Sequence, residues 1–188
     1  MAKAYIFLAE GFEEIEALTP VDLLRRAGVD AKFVAVGESL QVTGANGITI
    51  VADMKLAPEA IGEADLLVCP GGMPGASNLA ACSELGMLLR RQAESGRLVA
   101  AICAAPAVTL GPLGILRGKN ATCYPGFEPM LEENGACHKA ERVVRDGNVI
   151  TANGPSSAFP FGLALIDALC GSAVEQQIAV GTLQRFPD

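Results

Sequence analysis

The chain has 188 residues, of which 51% are hydrophobic and 19% are charged. This composition is typical of one globular domain and argues against disorder. A formal net charge of -7 disfavours nucleic acid as a partner, because neutralising phosphates requires clustered lysine and arginine side chains. The apolar runs are of strand length and are interrupted by Gly or Pro, so no membrane span is expected.

The first half of the chain alternates between strands and a helix. Continuous apolar runs predict buried strands, and the helical spacing of apolar residues over 13–27 predicts a helix that stops at Gly28. The pair Asn46-Gly47 predicts the turn of a hairpin. The predicted elements are a strand at 4–9, a helix at 13–27, a strand at 31–36 and a hairpin at 41–51.

The second half continues this alternation. The predicted elements are a strand at 65–69, a helix at 84–94, a strand that ends at Cys103 with a helix after it, strands at 121–124, 142–144 and 149–151, and helices at 156–169 and 173–183. Strands that alternate with helices indicate a mainly parallel sheet with helices on both faces. The chain has no repeat, low-complexity tract or linker, so a single α/β domain over 1–188 is expected.

Cys103 is the most informative residue, because it directly follows the buried-strand pattern of 98–102. Small residues come next, and Pro106 suits the first turn of a helix. The thiol is therefore expected on a sharp strand-to-helix turn, at the edge where open α/β sheets bind ligands. A helix N-terminus stabilises a thiolate, so Cys103 is expected to ionise at a lower pH than the other thiols. A cysteine that only packs in the core is the alternative.

Two further segments are expected to meet Cys103. The glycine-rich run 70–75 follows a buried strand, and its glycines allow backbone N–H groups to approach an anion, although an ordinary turn is the alternative. The run 11–16 follows the first strand, and Glu16 has apolar neighbours that favour an inward side chain. Acidic residues at this position more often complement the helix dipole. In a dry pocket a neutral Glu16 could donate a hydrogen bond to a thiolate, whereas an ionised one would repel it.

The cysteines show no C-x-x-C spacing, which zinc sites and redox dithiols normally have. Because the N-terminus shows no secretory pattern, reduced thiols and a cytoplasmic location are expected. Cys69 and Cys123 fall in strand-like runs and are expected to pack. Cys137 adjoins His138, the only histidine, but adjacent residues of an extended segment point in opposite directions. No metal and no cofactor are therefore expected.

With these segments in view, the chain resembles the DJ-1/ThiJ/PfpI superfamily over essentially its whole length. The runs that carry the resemblance, in this order, are 9–16, 20–22, 70–72, 100–106 and 154–155. The resemblance implies a flavodoxin-like three-layer sandwich, a mainly parallel sheet and a homodimer. It also implies that Cys103 is the reactive cysteine of a nucleophile elbow and that Glu16 is the carboxyl that hydrogen-bonds its sulfur. The implied oxyanion-type backbone donors are Gly71, Gly72 and Ala104.

Two positions depart from the patterns of this superfamily. The intracellular protease branch has His directly after the cysteine, where this chain has Ala104, which disfavours a protease. Deglycase-like members have a His in a loop before a Pro, where this chain has Tyr124. A phenol keeps its proton near neutral pH and cannot serve as a base in the way that imidazole does. His138 does not occupy the matching position.

The resemblance implies two classes of function. The first is a cofactor-free glyoxalase or deglycase, in which Cys103 adds to methylglyoxal or its adducts, Glu16 transfers the proton and Tyr124 donates a hydrogen bond. The second is a redox sensor or redox-regulated chaperone in oxidative stress, in which Cys103 is oxidised to a sulfinate. The expected partners are reactive aldehydes or oxidants and a second copy of the chain. Thiamine biosynthesis has no support at the level of residues.

Overall fold

The structure is a computed structural model that describes residues 1–184; the end of the expected domain, 185–188, lies outside the described residues. The strands are β1 (Lys3–Leu8), β2 (Asp30–Ala35), β3 (Gln41–Thr43), β4 (Thr49–Val51), β5 (Met54–Lys55), β6 (Leu66–Cys69), β7 (Leu98–Ile102), β8 (Asn120–Ala121), β9 (Cys137–His138), β10 (Val143–Asp146) and β11 (Val149–Ala152). The α-helices are α1 (Glu14–Arg26), α2 (Pro58–Ile61), α3 (Gly75–Ala81), α4 (Ser83–Glu94), α5 (Glu128–Glu133), α6 (Ala158–Cys170) and α7 (Ser172–Gly181).

The central sheet has the strand order β10-β11-β7-β6-β1-β2-β5. All neighbouring strands are parallel except β10 and β11, which form an antiparallel pair at one edge. The four residues of β6 and the four of β11 are all buried, as expected for strands that are covered on both faces. The mainly parallel sheet predicted from the alternation of apolar runs is confirmed.

Helices cover both faces of this sheet. The chain moves from β1 to β2 in one direction along the sheet and from β6 to β7 in the other. Because such crossovers are right-handed, α1 and the α3–α4 segment lie on opposite faces. On the first face α1 packs against α6, and α6 packs against α7. This contact is close, since a Cβ at Gly162 would lie 2.6 Å from Cδ1 of Leu23.

The reversal between β1 and β6 creates a crevice at their carboxyl ends, which is where ligands bind in open α/β sheets. Three loops reach this crevice: the loop after β1, the loop after β6 and the turn after β7. These loops include or adjoin the runs 11–16 and 70–75 and Cys103, which the sequence analysis expects to meet. The fold therefore brings together residues that are far apart in the chain.

The predicted hairpin is confirmed as β3 and β4, and its turn contains Gly47 with φ +82°. The strand predicted at 121–124 is wrong beyond Ala121. Only β8 forms there, and it pairs with β9 outside the central sheet. Cys123 consequently lies in a loop, where it is buried. No helix within residues 1–184 is both long and apolar enough to cross a membrane.

Candidate active site

Cys103 occupies a sharp turn directly after β7. Its φ of +67° lies in the left-handed region, which residues other than glycine rarely adopt. The turn is held by backbone hydrogen bonds on both sides: Cys103 N–H donates to the carbonyl of Ala152 at 2.9 Å, and Tyr124 N–H donates to the carbonyl of Cys103 at 2.8 Å. Strained backbone at a ligand-binding edge is a common feature of functional sites.

The helix expected after Cys103 is present as a short segment that is not a regular α-helix. The structure has one π-helical turn, Pro106–Leu110, which runs into a 3₁₀ turn, Gly111–Leu113. Gly114, with φ +75°, ends the segment. So short a segment has little macrodipole. Stabilisation of a thiolate must therefore come from individual N–H groups near the sulfur.

Glu16 lies in the first turn of α1 and is completely buried, which confirms its predicted inward orientation. Glu13 caps the helix, and its Oε2 accepts the N–H of Glu16 at 2.8 Å. Oε2 of Glu16 in turn accepts the N–H of Gly71 at 2.9 Å. The other oxygen, Oε1, makes no well-formed hydrogen bond, although the carboxyl interacts with the Cys103 thiol. A proton on Oε1 would remove this unsatisfied buried acceptor and supply a donor to the sulfur.

Gly71 allows the carboxyl and the thiol to approach each other. A Cβ at this position would lie 2.5 Å from Cβ of Cys103 and 2.6 Å from Oε2 of Glu16. Its N–H is bonded to Glu16, so the expectation that Gly71 donates to an oxyanion is wrong. Gly71 positions the carboxyl instead. The other two expected donors, the N–H groups of Gly72 and Ala104, both interact with the Cys103 sulfur.

The two ionisable groups depend on each other. Burial raises the pKa of Glu16 to about 7 from an ordinary 4.5, a rise that the hydrogen bond with Cys103 opposes. Burial and the neighbouring Glu16 carboxylate raise the pKa of Cys103 to about 12, against the N–H groups of Gly72 and Ala104, which lower it. While Glu16 is ionised, its charge therefore opposes ionisation of Cys103, contrary to the expectation of a readily ionised thiol. A reactive thiolate requires the proton to be on Glu16.

Tyr124 is at the rim of the site. Its side chain is 44% exposed, and its ring adjoins Gly154, where an added Cβ would lie 3.1 Å from Cδ2 of Tyr124. The backbone of Tyr124 contacts the Cys103 turn, as described above. The phenol of Tyr124 therefore lies near the opening of the crevice, whereas Glu16 and Cys103 are buried in its interior.

Sequence reasoning missed two acidic residues beside Glu16. Glu13 is the N-cap of α1, and an acidic residue three positions before Glu16 was the available signal for it. Glu14 is buried and accepts hydrogen bonds from the hairpin turn, at Asn46 and Ile48. No local pattern indicates this second contact, because its partners are more than thirty residues away.

Cys69 and Cys137 have surroundings unlike those of Cys103. Cys69 is completely buried in β6, and burial raises its pKa to about 12. Cys137 is exposed and is followed by His138 in β9. Among residues 1–184 no group of three or more His, Cys, Asp and Glu side chains is arranged to hold a metal ion.

A parallel α/β sheet with a cysteine turn at its ligand edge, set against a buried carboxyl, defines a flavodoxin-like protein with a thiol site. The model of the DJ-1/PfpI family matches residues 2–168. The chain belongs to the DJ-1/PfpI family.

Similar proteins are known in several organisms. Protein DJ-1 homolog A of Arabidopsis thaliana is 42% identical over 94% of this chain, and the glutathione-independent glyoxalase DJR-1.2 of Caenorhabditis elegans is 37% identical over 86% of this chain and 85% of its own length. The chain spans only 44% and 38% of the lengths of the Arabidopsis homologs A and B. The crystal structure of Drosophila melanogaster DJ-1beta is 38% identical, with a TM-score of 0.92 over 97% of both chains. The oxidized DJ-1 of Toxoplasma gondii is 34% identical, with a TM-score of 0.91 over 97% of this chain and 98% of its own.

Proposed function

We propose that this protein is a cofactor-independent glyoxalase that converts methylglyoxal and related 2-oxoaldehydes into 2-hydroxy acids. The observation that carries the proposal is the buried carboxyl of Glu16, which lies beside the thiol of Cys103. Its pKa is raised to about 7, and the backbone of Cys103 is strained. Such a carboxyl can both donate and accept a proton near neutral pH, as a general acid–base catalyst must. The Caenorhabditis elegans relative named as a glyoxalase supports the same class of activity.

The reaction begins with proton transfer from Cys103 to Glu16. The thiolate adds to the aldehyde carbon C1, and the oxygen on C1 takes the proton from Glu16 to give a hemithioacetal. The N–H groups of Gly72 and Ala104 stabilise the negative charge that develops on this oxygen during the addition. Cys103 supplies the nucleophile of this step and, through Glu16, the proton that the oxygen takes up, so the addition proceeds without a cofactor.

Glu16, now ionised, removes the hydrogen of C1 as a proton, and the electron pair forms the C1–C2 double bond of an enediolate. Glu16 returns the proton to C2 while the proton of the C1 hydroxyl passes to the oxygen on C2. The product is a thioester between Cys103 and a 2-hydroxy acid. Water hydrolyses it and regenerates the thiol, so that methylglyoxal and water give lactate without an external oxidant.

Lactate formation from methylglyoxal tests this assignment. We expect Cys103→Ser to abolish turnover and Glu16→Gln, which keeps the shape but not the basicity of the carboxyl, to reduce kcat by about 10²–10⁴-fold. Cys82→Ser, which removes a partly exposed thiol outside the site, is the control and should retain wild-type turnover. Full activity of Glu16→Gln would refute the assigned role of this carboxyl.

Tyr124 has a smaller role in this proposal. A phenol can donate a hydrogen bond to a substrate oxygen, but it lacks the basic ring nitrogen of an imidazole. We therefore expect Tyr124→Phe to lower kcat/KM by less than about tenfold, and Tyr124→His, which restores an imidazole, to raise kcat. Loss of all turnover in Tyr124→Phe would show that the phenol takes part in proton transfer.

Oxidation sensing is the second candidate, because the N–H groups that face the Cys103 sulfur could bind the oxygens of a sulfinate. One peroxide converts the thiolate into a sulfenate with release of water, and a second peroxide gives the sulfinate. The related Toxoplasma gondii structure is described as oxidized. Peroxide titration followed by peptide mass spectrometry tests this candidate, and oxidation of Cys82 or Cys137 ahead of Cys103 would count against it.

A further inference from the structure

A fourth loop, which follows β11, reaches the site, and the mechanism above leaves it unused. Strand β11 ends at Ala152, the residue whose carbonyl accepts the N–H of Cys103. In the parallel register of the two strands, Ala152 is opposite Ile102. The next residue, Asn153, is therefore beside Cys103 at the ligand edge of the sheet.

A chain of hydrogen bonds orients the side chain of Asn153. Nε of Arg142 donates to Oγ of Ser157 at 3.1 Å, and Nη2 of Arg142 donates to the carbonyl of Ser156. Because a guanidinium has only donors, the hydroxyl proton of Ser157 is directed to Oδ1 of Asn153, at 2.6 Å. Ser157 is completely buried, so water does not compete with Asn153 for its hydroxyl in this structure.

This arrangement leaves the amide nitrogen of Asn153 as a free donor. With Oδ1 turned towards Ser157, Nδ2 is on the other side of the amide, and no acceptor within residues 1–184 is in hydrogen-bonding distance of it. The backbone of Asn153 is fixed as well, since its N–H donates to the carbonyl of Arg142 at 3.1 Å. A half-buried amide held on two sides is pre-organised to bind an oxygen atom.

We propose that Nδ2 of Asn153 is a specificity-determining donor for the second oxygen of a 2-oxoaldehyde, an inference that rests on the proposed glyoxalase function. The N–H groups of Gly72 and Ala104 serve the oxygen on the carbon that Cys103 attacks. The oxygen on the adjacent carbon needs a donor from another part of the rim, and Asn153 supplies it. Ser157 and Arg142 are positioning residues that act through Asn153.

The proposal predicts a preference for 2-oxoaldehydes over simple aldehydes, which methylglyoxal and propanal test. The two compounds share a three-carbon skeleton and differ in the second oxygen. Each adds reversibly to Cys103, and its affinity is measured as protection of Cys103 from iodoacetamide, followed by peptide mass spectrometry. The quantity compared is the ratio of the two affinities, which cancels any general change in the reactivity of the thiol.

In Asn153→Leu we expect the preference for methylglyoxal over propanal to fall about three- to tenfold relative to the wild type, as for the loss of one hydrogen bond. Ser157→Ala should lower the same ratio by a smaller factor, because it releases the amide without removing it. Asn120→Leu, which changes an exposed asparagine bonded to Asp146, is the matched control and should leave the ratio unchanged.

An unchanged ratio in Asn153→Leu overturns the proposal, and so does an equal fall in Asn120→Leu. If the leucine variant does not fold, Asn153→Ser, which also lacks the amide, provides the same comparison. Protection requires only addition to the thiol. Failure of the wild type to form lactate would therefore count against the proposed function, while the ratio would still decide the role of Asn153.

Discussion

At the scale of single residues, the site is a pair of groups that hold one proton between them near neutral pH. The proton can be on the Cys103 sulfur with Glu16 ionised, or on Glu16 with a thiolate beside it. Titration of such a pair belongs to both groups together. The first proton leaves the pair near the pKa of about 7 that burial confers on Glu16, and the second leaves near the Cys103 value of about 12.

This coupling predicts an unusual pH profile for the reactivity of Cys103. We expect the rate of its alkylation by iodoacetamide to rise as the pH passes through about 7 and then to level off, because the next proton leaves only near 12. Glu16→Gln should remove the rise near 7 and leave a single titration at higher pH. The exposed Cys137 in the same sample is the internal reference. Identical midpoints in the two proteins would show that Glu16 and Cys103 do not share a proton.

At the scale of elements, the hairpin of β3 and β4 is hydrogen-bonded to the first residue of α1 and to the loop that precedes it. Both oxygens of Glu14 are used: Oε1 accepts the N–H of Asn46 at 2.8 Å and that of Ile48 at 3.3 Å, and Oε2 accepts the side-chain amide of Asn46 at 2.9 Å. Backbone bonds reinforce the contact, with Ala45 N–H donating to the carbonyl of Phe12 at 2.7 Å. Burial raises the pKa of Glu14, but these hydrogen bonds outweigh it, so the pKa is lowered overall.

The hairpin contact gives a prediction for stability. We expect Glu14→Gln to lower the free energy of unfolding by about 1.5–3 kcal/mol, since hydrogen bonds to a charged group are lost. Because the folded pKa of Glu14 is depressed, its contribution is present above the ordinary value of 4.5 and is lost as the pH falls through the folded value. Urea unfolding as a function of pH measures both effects.

Glu10→Gln is the matched control for this experiment. Glu10 is exposed and accepts one N–H, from Thr43 at 3.2 Å. Its replacement should change the free energy of unfolding by no more than about 0.5 kcal/mol. An equal decrease in the free energy of unfolding in the two variants would show that the buried hydrogen bonds of Glu14 contribute no more to stability than the exposed one of Glu10.

At the scale of the whole molecule, α1 and the hairpin leave several large apolar side chains in contact with water. Ile15 and Leu18 are exposed on α1, and Ile48 and Val51 are exposed on the hairpin, Val51 by 67%. The N–H of Ile48 is bonded to Glu14, so the two elements adjoin at this surface. Exposed apolar groups of this kind often mark an interface. We propose that this surface forms the homodimer that the family resemblance implies.

Sedimentation velocity tests this assembly. We expect the wild type to be dimeric at micromolar concentration, and Ile48→Lys and Val51→Lys to shift it towards the monomer, because burying an unpaired charge is costly. Met87→Lys is the control. Met87 is about as exposed as Val51, but it belongs to α4, on the opposite face of the sheet. A monomeric wild type, or dissociation in the Met87 variant as well, would contradict the proposed interface.

The amino-acid sequence by itself determined the parallel α/β architecture, the hairpin at Asn46-Gly47 and the inward orientation of Glu16. These features depend on periodicity, on apolar run length and on the conformational freedom of glycine, all of which are local. Because these signals are local, they also predict a strand over 121–124, whereas β8 ends at Ala121 in the structure. The sequence also failed to predict the short π turn after Cys103, where glycines and a proline interrupt what reads as an ordinary helix.

Only the tertiary structure decided which polar group each side chain meets. The Gly71 N–H could serve either an oxyanion or a carboxylate, and its bond to Glu16 depends on two segments that are 55 positions apart in the chain. The same holds for Glu14 and the hairpin, where Asn46 is 32 positions further along the chain. Hydrogen-bond partners and pKa values depend on distances and on exclusion of water, and these exist only once distant segments have packed together.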